Sequence, residues 1–206
     1  MFPEGPEKLW MHTAVTNPSF NENAFALAAT HFESRNLTLA IMFSCSDEQI
    51  NSIRGLVDTW KDAIGHPLLM LGIYAELQLD RLVAIVNTRY EEYEKLIEEV
   101  ELEPDKKGKD RFSWEMIKKV RLSRELSKKV EEEVRTTKHQ LSKARSSALR
   151  ALKSSGRLTE TTNLFSERFD DIVTRIDGLC ARCRIMFEGI SFTTDIVSCP
   201  LDHIVA

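Results

Sequence analysis

The most regular pattern of apolar positions in the chain lies near its end. Phe165, Phe169, Ile172, Ile176, Leu179, Cys183, Met186 and Ile190 recur with spacings of 4, 3, 4, 3, 4, 3 and 4. That alternation keeps one stripe of an α-helix apolar, so it predicts a long packed helix over about 159–190. Leu79, Leu82, Val86, Arg89, Tyr93, Leu96 and Val100 follow the same rule, with Arg89 as the one polar member, and predict a helix over about 67–102. The stretch "EPDKKGKDR" (103–111) has no apolar content and carries Pro104 and Gly108, so it reads as a turn. Beyond it Ser113 is a candidate cap for a helix over about 113–155, with Ile117, Val130, Val134, Leu141, Ala148 and Leu152 as a less strict seam and Gly156 as its stop.

Earlier in the chain the signals are shorter. Ser46 as N-cap, Asp47 and Glu48 in a first turn, and Gly65 with Pro67 as a stop predict a helix over roughly 47–63. "LTLAIMF" (37–43) fits a short buried β-strand, with a buried helix turn as the alternative. Residues 1–36, with prolines at 3, 6 and 18, show weak periodicity and read as irregular. The expected fold is therefore mainly α: an extended antiparallel bundle of three long helices with a short helix and a short strand near the N-terminus. In domain terms, 1–46 forms an N-terminal segment, 47–194 the helical domain and 195–206 a tail.

Composition narrows the classes of function. The formal net charge of -4 over 206 residues argues against a dedicated nucleic-acid binder. "MFPEGPEKLW" lacks the basic and apolar regions of a secretory signal, and no run of apolar residues is long enough to span a bilayer. Four cysteines without a signal point to free thiols in a reducing, cytoplasmic setting. No phosphate-binding glycine loop, nucleophile elbow or H-E-x-x-H pattern occurs, and the five histidines are scattered, so no catalytic residue and no cofactor is assigned.

Charge is unevenly placed. "EEYEKLIEEVELEPD" (91–105) holds eight acidic residues against one lysine, and Glu94, Glu98 and Glu101 are spaced to share a helix face that would attract a hard cation. From 135 to 157 there are seven basic residues and no acid: Arg135, Lys138, Lys143, Arg145, Arg150, Lys153 and Arg157. On a helix these fall within an arc of about 160°, a basic face suited to an acidic partner or to peripheral contact with an anionic membrane surface. The plainer reading is a solvated outer face.

The C-x-x-C pair Cys180 and Cys183, followed by Cys199 and His203, has spacing that zinc sites use. Cys183, however, lies on the seam of the last helix and Cys180 beside it, where a free cysteine acts as a small hydrophobe. A redox dithiol would need its first cysteine at an exposed helix N-terminus. Core packing is the reading taken, and no metal is assigned.

Two segments resemble a known family. "CSDEQINSIRGLVDTWKDAIGHPLLMLGIYAELQLDRLVAIV" (45–86), with His66, Pro67, Leu68 and Leu69 leading into a long helix that bears Glu76 and Arg81, resembles filamentous-fungal proteins of the CorA-like, magnesium-transporter type. "LFSERFDDIVTRIDGLCARCRIMFEGISFTTDIVSCP" (164–200), with its Phe-x-x-Arg-Phe start and Gly-x-x-x-Thr ending, is similar to a later helix of the same proteins. The resemblance implies a cytosolic helical portion that in the family precedes two membrane helices and a Gly-Met-Asn signature, neither of which this sequence contains. The expected function is non-enzymatic contact through the long helices, with a protein partner or a second copy. Two alternatives are a fragment or partner of a divalent-cation transporter, and an accessory factor or small enzyme of fungal metabolism.

Overall fold

The structure is a computed structural model and describes residues 9–15, 25–32, 35, 37–107, 112–154 and 160–198. Strands β1 (Leu9–Val15), β2 (Ala26–Phe32) and β3 (Leu37–Phe43) precede helices α1 (Asp47–Thr59), α2 (Leu69–Lys107), α3 (Trp114–Ser154) and α4 (Glu160–Ser198). A single 3-10 turn, Lys61–Ala63, follows α1. The fold is mainly α, with three long helices and a small sheet.

Two expectations change here. Leu9–Val15 and Ala26–Phe32, within the segment read as irregular, are strands: β1 and β2 form an antiparallel sheet with β3, in the order β1-β2-β3. The strands escaped notice because Ala26–Phe32, "ALAATHF", is mostly small residues, whose alternation carries little hydrophobic contrast. Nor does α2 stop at the predicted turn: it continues through Pro104 to Lys107. Glu and Lys are good helix formers, so the loss of apolar content did not end the helix.

Local signals account for the observed starts. Ser46 and Gln49 form a capping box, with the Ser46 hydroxyl accepting from the Gln49 N–H and the Gln49 side chain accepting from the Ser46 N–H at 2.8 Å. The Ser113 hydroxyl accepts from the Met116 N–H at 3.2 Å and opens α3 as predicted. At Gly65, φ is 95°, a conformation that favours glycine, and it turns the chain from the 3-10 segment into α2.

The chain divides into two compact units, Met1–Asp80 with Thr136–Ile176 and Arg81–Arg135 with Asp177–Ala206, and each long helix contributes a stretch to both. The first unit holds the sheet and α1. Its buried side chains include Phe25, Leu27, Leu68, Leu71, Tyr74, Phe169 and Ile172, and Phe25 meets Tyr74 edge to face at 5.4 Å.

In the second unit α2 and α3 run antiparallel, as shown by the pairs Arg81–Glu133 and Glu99–Lys119. There α4 runs parallel to α2, since Arg182 donates to the Asn87 side chain and Gly189 lies against Tyr93. This is the up-down-up order of three consecutive helices with short turns. Leu96, Val100, Val120, Met186, Ile190 and Val197 form its core.

All eight seam positions of α4 are buried. The seam of α3 is also more regular than its apolar residues indicate, because Ser127 and Thr137 are buried and fall in the heptad between Val120, Val130, Val134 and Leu141.

Candidate functional site

His66 and Glu76 from the earlier of the two quoted segments, and Phe165 and Arg168 from the later one, lie in the first unit. Trp60, just past α1, lies with its ring 5.2 Å from that of Phe165 on α4. His66 stacks on the same Phe165 at 4.9 Å. The His66 Nδ1 accepts the Leu68 N–H at 3.2 Å, so Nε2 carries the proton and donates to the Thr162 hydroxyl at 3.1 Å. A second histidine stands nearby in the sheet. His31 is buried, and its Nδ1 lies 3.0 Å from the Thr38 hydroxyl, which donates in turn to the Gly65 carbonyl at 3.4 Å.

Burial first, and the neighbouring His31 second, push His66 down to about 4. Its ring is therefore neutral at neutral pH and serves as a fixed donor and acceptor between the start of α2 and α4. One turn along each helix, the Arg168 Nε donates to Glu76 Oε1 at 2.9 Å. This hydrogen bond holds the Arg168 guanidinium more firmly charged than usual. Arg81 lies 2.6 Å from Glu133 in the second unit, both side chains buried.

Trp60, Leu69, Gly72, Ile73, Glu76, Phe165, Arg168 and Phe169 line a cleft whose free volume, about 10 Å³, is that of roughly one water. Such a space admits no organic substrate. The cluster ties the entry of α2 to α4.

Of the basic face, Arg135 is exposed and paired with Glu131 at 2.5 Å. Arg145 is bound to Asp170 at 2.7 Å and to the Ser166 hydroxyl at 2.8 Å. Lys143, Arg150 and Lys153 are exposed, Lys138 is half-buried, and Arg157 lies outside the described residues. Arg135 and Arg145 are thus engaged in ion pairs.

Glu94, Glu98 and Glu101 are exposed. Among the described residues no group of three or more His, Cys, Asp or Glu is placed to hold a metal ion. Cys183 is fully buried and its thiol is pushed up to about 12, chiefly by burial. Cys180 is half-buried beside it, and Cys199 and His203 lie outside the described residues.

One surface was misread in the sequence. β3 forms as predicted, but it is not buried: Leu37, Leu39, Ile41 and Phe43 are 49%, 56%, 50% and 52% exposed. Pairing of β2 with β3 puts Leu27 opposite Met42, Ala29 opposite Ala40 and His31 opposite Thr38 on one face. That face includes the buried Leu27, Ala29 and His31. Ala26, Ala28, Thr30 and Phe32 stand opposite Phe43, Ile41, Leu39 and Leu37 on the outer face. A run that is apolar at every second position on both sides signals two covered faces, and here one lies open.

α1 is amphipathic yet buries no residue, and its Ile50 is exposed. No described helix is long and apolar enough to cross a membrane. Compared with models of protein families and with curated proteins, the chain matches none.

Proposed function

We propose that this protein works by non-covalent contact, as a helical module resembling the cytosolic part of fungal CorA-like proteins, and not by chemistry on a bound substrate. The observation that carries the reading is the open outer face of the sheet, where four large apolar side chains in a row are each about half exposed. Contiguous apolar patches of this kind mark contact surfaces on folded proteins.

The joint at His66 supports the same reading. Its polar groups are engaged with one another, and its cleft holds about a water's volume. It also unites residues from the two segments that carry the family resemblance, His66 and Glu76 with Phe165, Arg168 and Phe169.

Light scattering on the full chain over a wide concentration range tests the proposal. A mass that rises with concentration is the expected outcome, and a strict monomer at the highest concentration overturns it.

A further inference from the structure

We infer that the outer face of the sheet is a self-association surface, on which a second copy of this chain packs sheet against sheet about a two-fold axis. The inference rests on the contact reading above and names its partner.

The first argument is charge. Neither the outward positions of β2 (Ala26, Ala28, Thr30, Phe32) nor those of β3 include an ionisable residue. A partner recognised by charge would find nothing to read there. Two copies that each carry a net charge of -4, by contrast, can meet without burying an ion only over a surface of this kind.

The second argument is area. The half-exposed Leu37, Leu39, Ile41 and Phe43 offer on the order of 400 Å² together, the size at which a patch on a monomer marks an interface. Doubled across a two-fold axis, β3 alone supplies roughly 800 Å². The outward residues of β2 carry the total toward the 1,200 Å² or so at which specific interfaces begin.

Shape agrees. Each strand has seven residues, about 24 Å of length, and two twisted sheets of equal size pack face to face about 10 Å apart with their strands some 30° askew. An isologous contact of this sort closes on itself, so the same face cannot also recruit a third copy.

The test compares the full chain with a Leu39→Glu/Ile41→Glu variant and with Ile50→Glu on α1, using sedimentation over a range of concentrations, with circular dichroism as the check on folding. The wild type should dimerise, Ile50→Glu should match it, and the double variant should raise the dimer dissociation constant by more than about 30-fold, the effect of losing a hot-spot contact. A folded double variant that dimerises as well as the wild type overturns the sheet contact and leaves the contact reading standing. The same holds if Ile50→Glu alone abolishes association. A wild type that stays monomeric at every concentration overturns both.

Should the double variant not fold, hydroxyl-radical footprinting of the wild type decides. Oxidation of Leu37, Leu39, Ile41 and Phe43 should fall as concentration rises, while Trp114 and Phe192, also exposed, stay unchanged. Equal oxidation of the β3 residues at all concentrations overturns the inference.

Discussion

His66 shows how one residue couples position to pH. Its folded value of about 4 lies below the 6.5 of an unperturbed histidine, so the unfolded chain binds more protons between those values. Stability is therefore full above about pH 6.5 and declines as pH falls toward 4. Thermal midpoints measured across that range should drop with pH, and the slope should be shallower in His66→Gln, which keeps a polar group but cannot take the proton.

Cys183 makes a different statement about chemistry. Thiolate is the reactive form, and a fully buried thiol pushed up to about 12 supplies almost none of it. A thiol reagent added to the native protein should modify the half-buried Cys45 and Cys180 first and reach Cys183 only on unfolding, as mass spectrometry of the labelled peptides would show. Fast labelling of Cys183 would contradict its place in the seam. That seam position was legible from spacing alone, because a heptad fixes which side of a helix faces inward.

At the scale of the helix, two glycines of α4 separate intrinsic propensity from packing. Gly178 is exposed and a Cβ there would meet nothing within 4 Å, whereas at Gly189 it would overlap the Tyr93 hydroxyl. Gly178→Ala should raise stability by about 0.5–1 kcal/mol, the ordinary gain of alanine over glycine in a helix. Gly189→Ala carries the same gain but should be net destabilising, since forcing a methyl into close packing costs about 1–3 kcal/mol. In a Tyr93→Ala background the sign should reverse, and chemical denaturation of the four proteins measures it.

The ion pair between α2 and α3 is an element-scale feature that no local pattern displayed. Arg81 and Glu133 are 52 positions apart in the chain, and neither belongs to an apolar seam read from the sequence. With both side chains about 6% exposed, Glu133→Ala would take the carboxylate away from a buried guanidinium and should cost about 3–5 kcal/mol. Replacing both partners, Arg81→Met with Glu133→Leu, should be close to neutral. If the single variant unfolds no more easily than the wild type, the pair is not holding these helices in register.

For the whole molecule, the open question between surfaces is whether contact is apolar or ionic. The outward positions of β2 and β3 have no ionisable residue, while Lys143, Arg150 and Lys153 line an exposed stretch of α3. Self-association through the sheet should persist or strengthen at high salt, because screening acts on charges and not on apolar burial. Association through the basic stretch should weaken instead. Sedimentation at low and high salt distinguishes the two.

The three long helices, their heptad faces and the caps at Ser46 and Ser113 were determined by the sequence itself, because periodicity and capping are set by residues within a few positions of one another. What stayed hidden depends on partners far apart in the chain. Ser127 and Thr137 complete the seam of α3 only once neighbouring helices cover them. The small residues of β2 become a strand only through pairing with β1 and β3. His66, Glu76, Phe165 and Arg168 become one joint only when α4 returns beside α2. Above all, "LTLAIMF" specifies a strand with two apolar faces, but tertiary packing alone decided which of them is covered and which is left open.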